Sequence, residues 1–189
     1  MSDNPQNHAK KERLLGLLRD QAVLKGDFTL ASGAKSSFYL DTRLVTLSSE
    51  GINLISELIF ERIKPLLGEL QGVAGPTMGA DPLVTGVSMY SFVMGSPLKA
   101  GYVRKAVKDH GCGRQVEGPI KPGEHVLVLE DVITSGRSSL QAIDALRKAG
   151  MVVNHLLCLV LREDSGKDFL EEEAKLKVDY LFRAVELLD

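Results

Sequence analysis

Two carboxylates followed by a hydroxyl-rich, glycine-containing turn stand in the second half of the chain, in VLVLEDVITSGRSS (126–139). An apolar strand ends in Glu130 and Asp131, and Thr134, Ser135, Gly136, Arg137 and Ser138 then open a helix. Backbone N–H groups at a helix N-terminus attract a dianionic phosphate, and a glycine lets the main chain approach it closely. Placed at the carboxyl end of a parallel strand, where α/β ligands collect, such a turn is a phosphate cradle. The segment matches neither the G-x-x-x-x-G-K-[ST] nucleotide loop nor the G-x-G-x-x-G dinucleotide fingerprint. Its acids refine the chemistry. They would repel a bare phosphate, but they accept hydrogen bonds from the vicinal hydroxyls of a sugar phosphate and favour positive charge developing beside them.

Three further clusters carry reactive groups. In YVRKAVKDHG (102–111), Arg104, Lys105, Lys108 and His110 put four potentially cationic side chains close together, followed by Gly111 and Gly113. A loop of this kind can close over a polyanion and place charge where a leaving group becomes negative, and His110 can donate near neutral pH. In GDFTLASGAKSSFYLDTR (26–43), Phe38 and Tyr39 are aromatics able to pack against a flat ring. In LRED (161–164), Arg162 offers a planar fork that matches a carboxylate.

These segments resemble the type I phosphoribosyltransferases. The strand, two acids and T-[ST]-G turn are similar to the family's signature for 5-phosphoribosyl 1-pyrophosphate (PRPP), here Glu130 to Ser138 including Val132 and Ile133. The 104–111 stretch resembles the RK-x-x-K-x-HG mobile loop of the orotate enzymes, and 26–43 resembles their N-terminal hood. The resemblance spans roughly residues 25–165. It implies an α/β fold with a central, mostly parallel sheet flanked by helices and a small hood. It implies one domain over 1–189, with a core of about 46–165 and a hood of about 1–45 joined by the C-terminal segment. It also implies transfer of ribose 5-phosphate from PRPP to orotate, with Lys105, Lys108, His110 and Asp131 catalytic. Arg104 and the 130–138 residues would bind PRPP, and Thr134, Arg162, Phe38 and Tyr39 would bind orotate. Mg²⁺ would be held mainly by PRPP and water near Glu130 and Asp131 rather than by direct protein ligands. A homodimer sharing loop residues between subunits is implied as well. The alternatives are a phosphoribosyltransferase for another base and a non-catalytic PRPP-sensing regulator on the same fold.

The chain departs from the family pattern at several positions. Ala31 and Met78 stand where the family often has Lys, and Ala106 stands where it often has an acid. Arg137 replaces a small polar residue after the signature Gly, and Leu161 replaces an Asp before Arg162. The two missing lysines subtract cations from the pyrophosphate side, whereas Arg137 adds one beside the 5′-phosphate cradle.

Alternating helical and strand-like patterning supplies the frame. A first helix is predicted over Lys10–Leu24 with Leu14, Leu17 and Leu18 on one face, then strands at 28–30 and 38–40 around a Ser32-Gly33 turn. Ser48 or Ser49 can cap a helix bearing Ile52, Ile55, Ile59 and Ile63, with Gly68 as its stop. Further expectations are a strand at 72–75, a helix from Pro82 to Val93 and a strand at 98–103, with the polar stretch 104–124 left irregular. Residues 125–161 read as one βαβ unit: strand 125–129, helix 138–149 with Leu140, Ile143 and Leu146 inward, Gly150 beyond its end, and strand 152–161.

Composition sets the bounds. The chain has 189 residues, 44% hydrophobic and 25% charged, as in an ordinary globular domain. A net charge of −2 argues against a nucleic-acid binder, which needs a strongly basic face. No apolar run approaches the roughly 20 residues that span a bilayer, and the polar opening MSDNPQNHAKKER lacks the apolar core of a secretory signal. Cys158 lies in the apolar run LLCLVL and Cys112 in a polar, Gly-rich stretch, so a disulfide or metal site between them is not expected. The expected location is cytoplasmic, with no membrane and no nucleic-acid partner.

Overall fold

The computed structural model describes residues 5–29, 35–105 and 114–188. Its centre is a six-stranded sheet whose spatial order is β5 (Val116–Glu117), β4 (Lys99–Val103), β3 (Gly72–Pro76), β6 (His125–Ile133), β7 (Val152–Leu161) and β8 (Lys177–Arg183). All neighbours are parallel except β4 and β5. Successive side chains of a strand point to opposite faces, so the continuous apolar run of β6 supplies two cores. Leu127 and Leu129 join one buried cluster, with residues of α1 (Pro5–Leu17), α3 (Ser49–Ile63) and α4 (Asp81–Val93). Val126 and Val128 join the other, with residues of α5 (Arg137–Lys148) and α6 (Asp164–Ala174). This is the mostly parallel, helix-flanked sheet that the sequence implied.

Residues before the sheet form a separate antiparallel ribbon of β1 (Val23–Thr29) and β2 (Lys35–Leu40). The first helix differs from expectation at both ends. It begins at Pro5, its regular part stops at Leu17, and a π-helical turn at Leu18–Ala22 leads directly into β1. Leu14, Leu17 and Leu18 are nevertheless buried, as their spacing predicts. The Ser32-Gly33 turn and Leu30 lie outside the described residues. A short helix, α2 (Arg43–Thr46), links the ribbon to α3. Ser48 caps α3 by accepting from the Gly51 N–H at 3.0 Å. Pro65, with no N–H to give, lies in a 3-10 turn at Lys64–Leu66 that ends α3 at Ile63, ahead of Gly68.

The βαβ unit is present, with two shifts. Gly136 sits at φ +74° as the cap of α5, so the helix starts at Arg137, and Gly150 follows it at φ +91°. β6 runs on to Ile133 because β7 pairs with it through Val132↔Val160 and Ile133↔Leu161. Glu130 and Asp131 therefore belong to the paired strand, not to the turn after it. The chain beyond Leu161 holds elements that the sequence patterning left unassigned. α6 and β8 complete one edge of the sheet, while α7 (Ala184–Leu188) returns to the π-helical turn, where Arg19 donates from Nε and Nη2 to the Glu186 carbonyl at 2.8 and 2.6 Å. Among the described residues no helix is long and apolar enough to cross a membrane.

Candidate active site

Beyond the carboxyl ends of β3, β4 and β6 lies a cavity of about 350 Å³. Its walls come from the end of β2 and start of α2, from the turn Thr77–Gly79 after β3, and from Arg104 and Lys105 after β4. Its floor carries Glu130 and Asp131, with Ser138 and Gln141 of α5 beside them. The expected acids and two of the expected cations thus share one space.

The two acids sit in different surroundings. Glu130 is 3% exposed and leans towards α5, where Ser139 donates to its Oε2 at 2.7 Å and Ser138 at 3.4 Å. Burial, then the Asp131 charge, push its carboxyl well above the usual carboxylate range, against the opposing effect of the Ser139 bond. Asp131 is only partly buried. Its Oδ1 accepts from the Val132 N–H at 2.9 Å and its Oδ2 from the Thr42 hydroxyl at 3.2 Å. Gly79 makes room for it: a Cβ there would lie 2.5 Å from Oδ2.

The turn after β6 is shaped by α6. Gly136 takes the left-handed conformation that opens α5, and a Cβ on it would meet Leu170 and the Gly166 carbonyl. In the first turn of α6, a Cβ on Gly166 would collide with the Thr134 carbonyl. Ser135, Arg137 and Ser138 are exposed and Thr134 is half-buried. The Val132 side chain packs against one core cluster and that of Ile133, 1% exposed, lies within the other. Ile133 can meet a ligand only through its main chain.

Arg162 and Phe38 come together away from the cavity floor. The guanidinium stacks over the Phe38 ring at 4.4 Å, and Nη2 donates to Ser36 Oγ at 2.8 Å and to the Phe38 carbonyl at 3.2 Å. Nε and Nη1 have no partner among the described residues. Tyr39 lines the cavity and pairs with Phe28, ring centroids 5.7 Å apart. Arg104 donates from Nε to Glu117 at 3.0 Å across the β4–β5 pair. Lys108, His110, Ala106 and Cys112 lie outside the described residues, as does Ala31. Thr42, Gly79, Ser139 and Gly166 carry the geometry without having stood out in the sequence. Thr42 was within the hood motif, but its contact with Asp131 is long-range and leaves no local trace.

The chain was compared with known proteins. No family model matches it. It is 46% identical over 157 residues to an orotate phosphoribosyltransferase of Thermosynechococcus vestitus, covering 82% of each chain. It is 40% identical over 178 residues to one of Nostoc sp., covering 94% of this chain and 84% of that relative. The chain belongs to the orotate phosphoribosyltransferase family. Among solved structures it is similar to Mycobacterium tuberculosis orotate phosphoribosyltransferase in complex with PRPP, with TM-score 0.79 and 29% identity over 95% of this chain and 99% of that one. In this member of the orotate phosphoribosyltransferase family the two acids, Ser138 and the Arg104–Lys105 wall converge on one cavity, whereas Thr134, Ser135, Gly136 and Arg137 are not among its lining residues.

The donor set can be tested for a hard dication. Among the described residues no group of three or more His, Cys, Asp or Glu is arranged to hold a metal. Asp131 turns an only partly engaged carboxylate towards a roomy polar cavity. That suits a Mg²⁺ that keeps most of its waters and takes its direct ligands from a phosphorylated substrate.

Proposed function

We propose that this chain transfers ribose 5-phosphate from PRPP to orotate, giving orotidine 5′-monophosphate and pyrophosphate, as an enzyme of pyrimidine biosynthesis in the cytoplasm. The observation that carries the reading is the convergence of Asp131, Glu130, Ser138, Arg104 and Lys105 on one cavity at the carboxyl ends of parallel strands. The bond from ribose C1 to the pyrophosphate oxygen breaks, its electron pair leaving with pyrophosphate, and N1 of orotate forms the new bond to C1 as its proton is given up to the departing pyrophosphate or to water. Positive charge develops on the ribose ring between these events. Asp131 and Glu130 hold the ribose hydroxyls and stabilise that charge, while Thr134, Ser135, Gly136, Arg137 and Ser138 cradle the 5′-phosphate. Arg104 and Lys105, with Lys108 and His110, take up the charge of the departing pyrophosphate. Arg162 presents Nε and Nη1 to the orotate carboxylate, and Thr134, Phe38 and Tyr39 position the ring. Asp131 and Glu130 would hold a hydrated Mg²⁺ at this cavity, and the ion would supply charge neutralisation at the pyrophosphate.

A homodimer with loop residues shared between subunits accompanies this reading. An apolar strip on and just after α4, with Met89, Phe92, Val93 and Met94 from 45 to 75% exposed, supports a second copy as its cover. Mixing Lys105→Ala with Asp131→Asn chains restores activity if sites are shared; strictly additive loss rejects sharing. The reaction itself is read from the fall in orotate absorbance after adding PRPP and Mg²⁺. Turnover of uracil in preference to orotate, or PRPP binding without pyrophosphate release for any base, overturns the assignment.

A further inference from the structure

The cavity contains a cation that the sequence motifs did not assign. Its described lining holds three: Arg43, Arg104 and Lys105. Arg43 opens α2, next to the buried Thr42 whose hydroxyl is bonded to Asp131. The main chain at this point is therefore tied to the acid expected to hold the ribose. Asp41 takes the Arg43 main-chain N–H at 3.3 Å and two guanidinium bonds, Nε to Oδ1 at 2.7 Å and Nη2 to Oδ2 at 2.9 Å. A guanidinium has two bidentate edges. Asp41 occupies the side-on edge and leaves the end-on pair, Nη1 and the second Nη2 proton, without a partner among the described residues. The side chain is 48% exposed into the cavity, and its charge feels Asp41 first and Asp131 more weakly. The wall formed by Thr77, Met78 and Gly79 carries no cation of its own, and Met78 is 72% exposed.

A polyanion that places its ribose hydroxyls on Asp131 and its charge against this wall needs a cation from another element. We propose that Arg43 binds the diphosphate of the ribose donor with its free end-on edge, held in aim by Asp41. The assignment rests on the PRPP reading above. It makes Arg43 a substrate-binding residue and Asp41 a positioning residue. The planar fork suits two phosphate oxygens at once, which a lysine at the same place does not reproduce. Arg162 lies with Ser36 and Phe38 and answers to the other substrate, so the two arginines divide the ligands between them.

The test uses the full chain with Mg²⁺ and calorimetric titration of PRPP, pyrophosphate and ribose 5-phosphate separately. Arg43→Ala weakens PRPP and pyrophosphate by about tenfold or more, with ribose 5-phosphate affinity and the KM for orotate unchanged within about twofold. Arg43→Lys, which keeps the charge on a half-exposed site, recovers only part of the loss and leaves the thermal midpoint unaltered. Unchanged pyrophosphate affinity in both variants overturns the assignment, as does a loss that falls on ribose 5-phosphate or on orotate. Failure of the unaltered protein to bind PRPP overturns the donor reading itself, and this assignment with it.

Discussion

Gly166 occupies the first turn of α6, where its amide donates to the Glu163 carbonyl at 3.1 Å, and its Cα faces the main chain of the phosphate turn. Replacement by alanine has two opposed effects. In a helix interior alanine is favoured over glycine by about 1 kcal/mol. Against this, the new methyl collides with the Thr134 carbonyl and presses on Ile133. Ile133 cannot yield freely: it is 1% exposed and strand-paired to Leu161, and the Arg162 N–H is bonded to its carbonyl at 2.8 Å. Overpacking of this kind costs about 1–3 kcal/mol, and a backbone obstacle belongs at the upper end. The net expectation is a loss of about 2 kcal/mol, which in a chain of this length lowers the thermal midpoint by roughly 4–8 °C. The strain is relieved where the chain is least tied, at Thr134 to Ser138, so PRPP affinity falls while orotate binding through Arg162 changes less. Thermal melts and PRPP titration on Gly166→Ala measure both effects. A variant as stable as the parent or more so, with unaltered PRPP affinity, refutes the claim that α6 shapes the phosphate turn.

Ser139→Ala removes the 2.7 Å bond to the buried Glu130 and leaves that carboxyl under-satisfied, a loss of about 1–3 kcal/mol in denaturant melts; equal stability refutes it. Arg62 and Asp179 join α3 to β8 through Nε–Oδ2 at 2.5 Å and Nη2–Oδ1 at 2.8 Å. Burial pushes Asp179 up, but the Arg62 bond and the Tyr180 N–H outweigh it and hold the carboxyl below its ordinary value. A depressed carboxylate contributes stability above its unfolded pKa of about 3.9 and loses it as pH falls through the lower folded value. Asp179→Asn should therefore cost a small amount at pH 7, no more than about 0.5 kcal/mol for so exposed a pair, and nothing in strong acid; an undiminished difference there contradicts the assignment. Cys158 is fully buried, and burial first, then the Glu130 charge, push its thiol far up. In a Cys112→Ser background a thiol reagent should label it only after unfolding, and rapid native labelling would show the β6–β7 core to be open.

What could be read from the sequence was local. The acid pair, the hydroxyl turn and the helix after it lie within one run of residues, and the apolar continuity of 125–129 and 152–161 marked central parallel strands directly. The Ser48 cap and the Gly150 stop were equally local. The far edge of the sheet was not legible. α6 buries only Gly166, Leu170 and Ala174 of its eleven residues, so its stretch reads as a polar segment. β8 is strongly buried only at Val178 and Phe182, an i, i+4 spacing that one face of a strand and one face of a helix share, so it identifies neither. Contacts between distant segments left no local signal at all. Thr42 reaches Asp131 and Gly166 reaches Thr134 only because the ribbon and α6 close on the sheet from different sides. Arg43 went unassigned for the same reason, since in sequence it follows two aromatics and in space it faces the acids.

The placement of the two acids resolves a difficulty that the sequence raised. Adjacent carboxylates beside a phosphate cradle would repel the polyanion that the site is built to take. Their surroundings divide the task. Glu130 is withdrawn against α5 and bonded to Ser139, and burial, then the Asp131 charge, raise its carboxyl above the usual carboxylate range. Asp131 is left facing the cavity, with Thr42 and the Val132 amide on its oxygens and Gly79 keeping its approach clear. The cavity therefore presents one carboxylate on its floor with the other turned away, and Arg43, Arg104 and Lys105 on its walls. On the proposed reading, the positive charge that develops on the ribose ring as pyrophosphate departs falls beside the Asp131 carboxylate. An arrangement that is mildly repulsive to the bound donor and attractive to the oxocarbenium ion stabilises the transition state more than the ground state, which is the condition for catalysis.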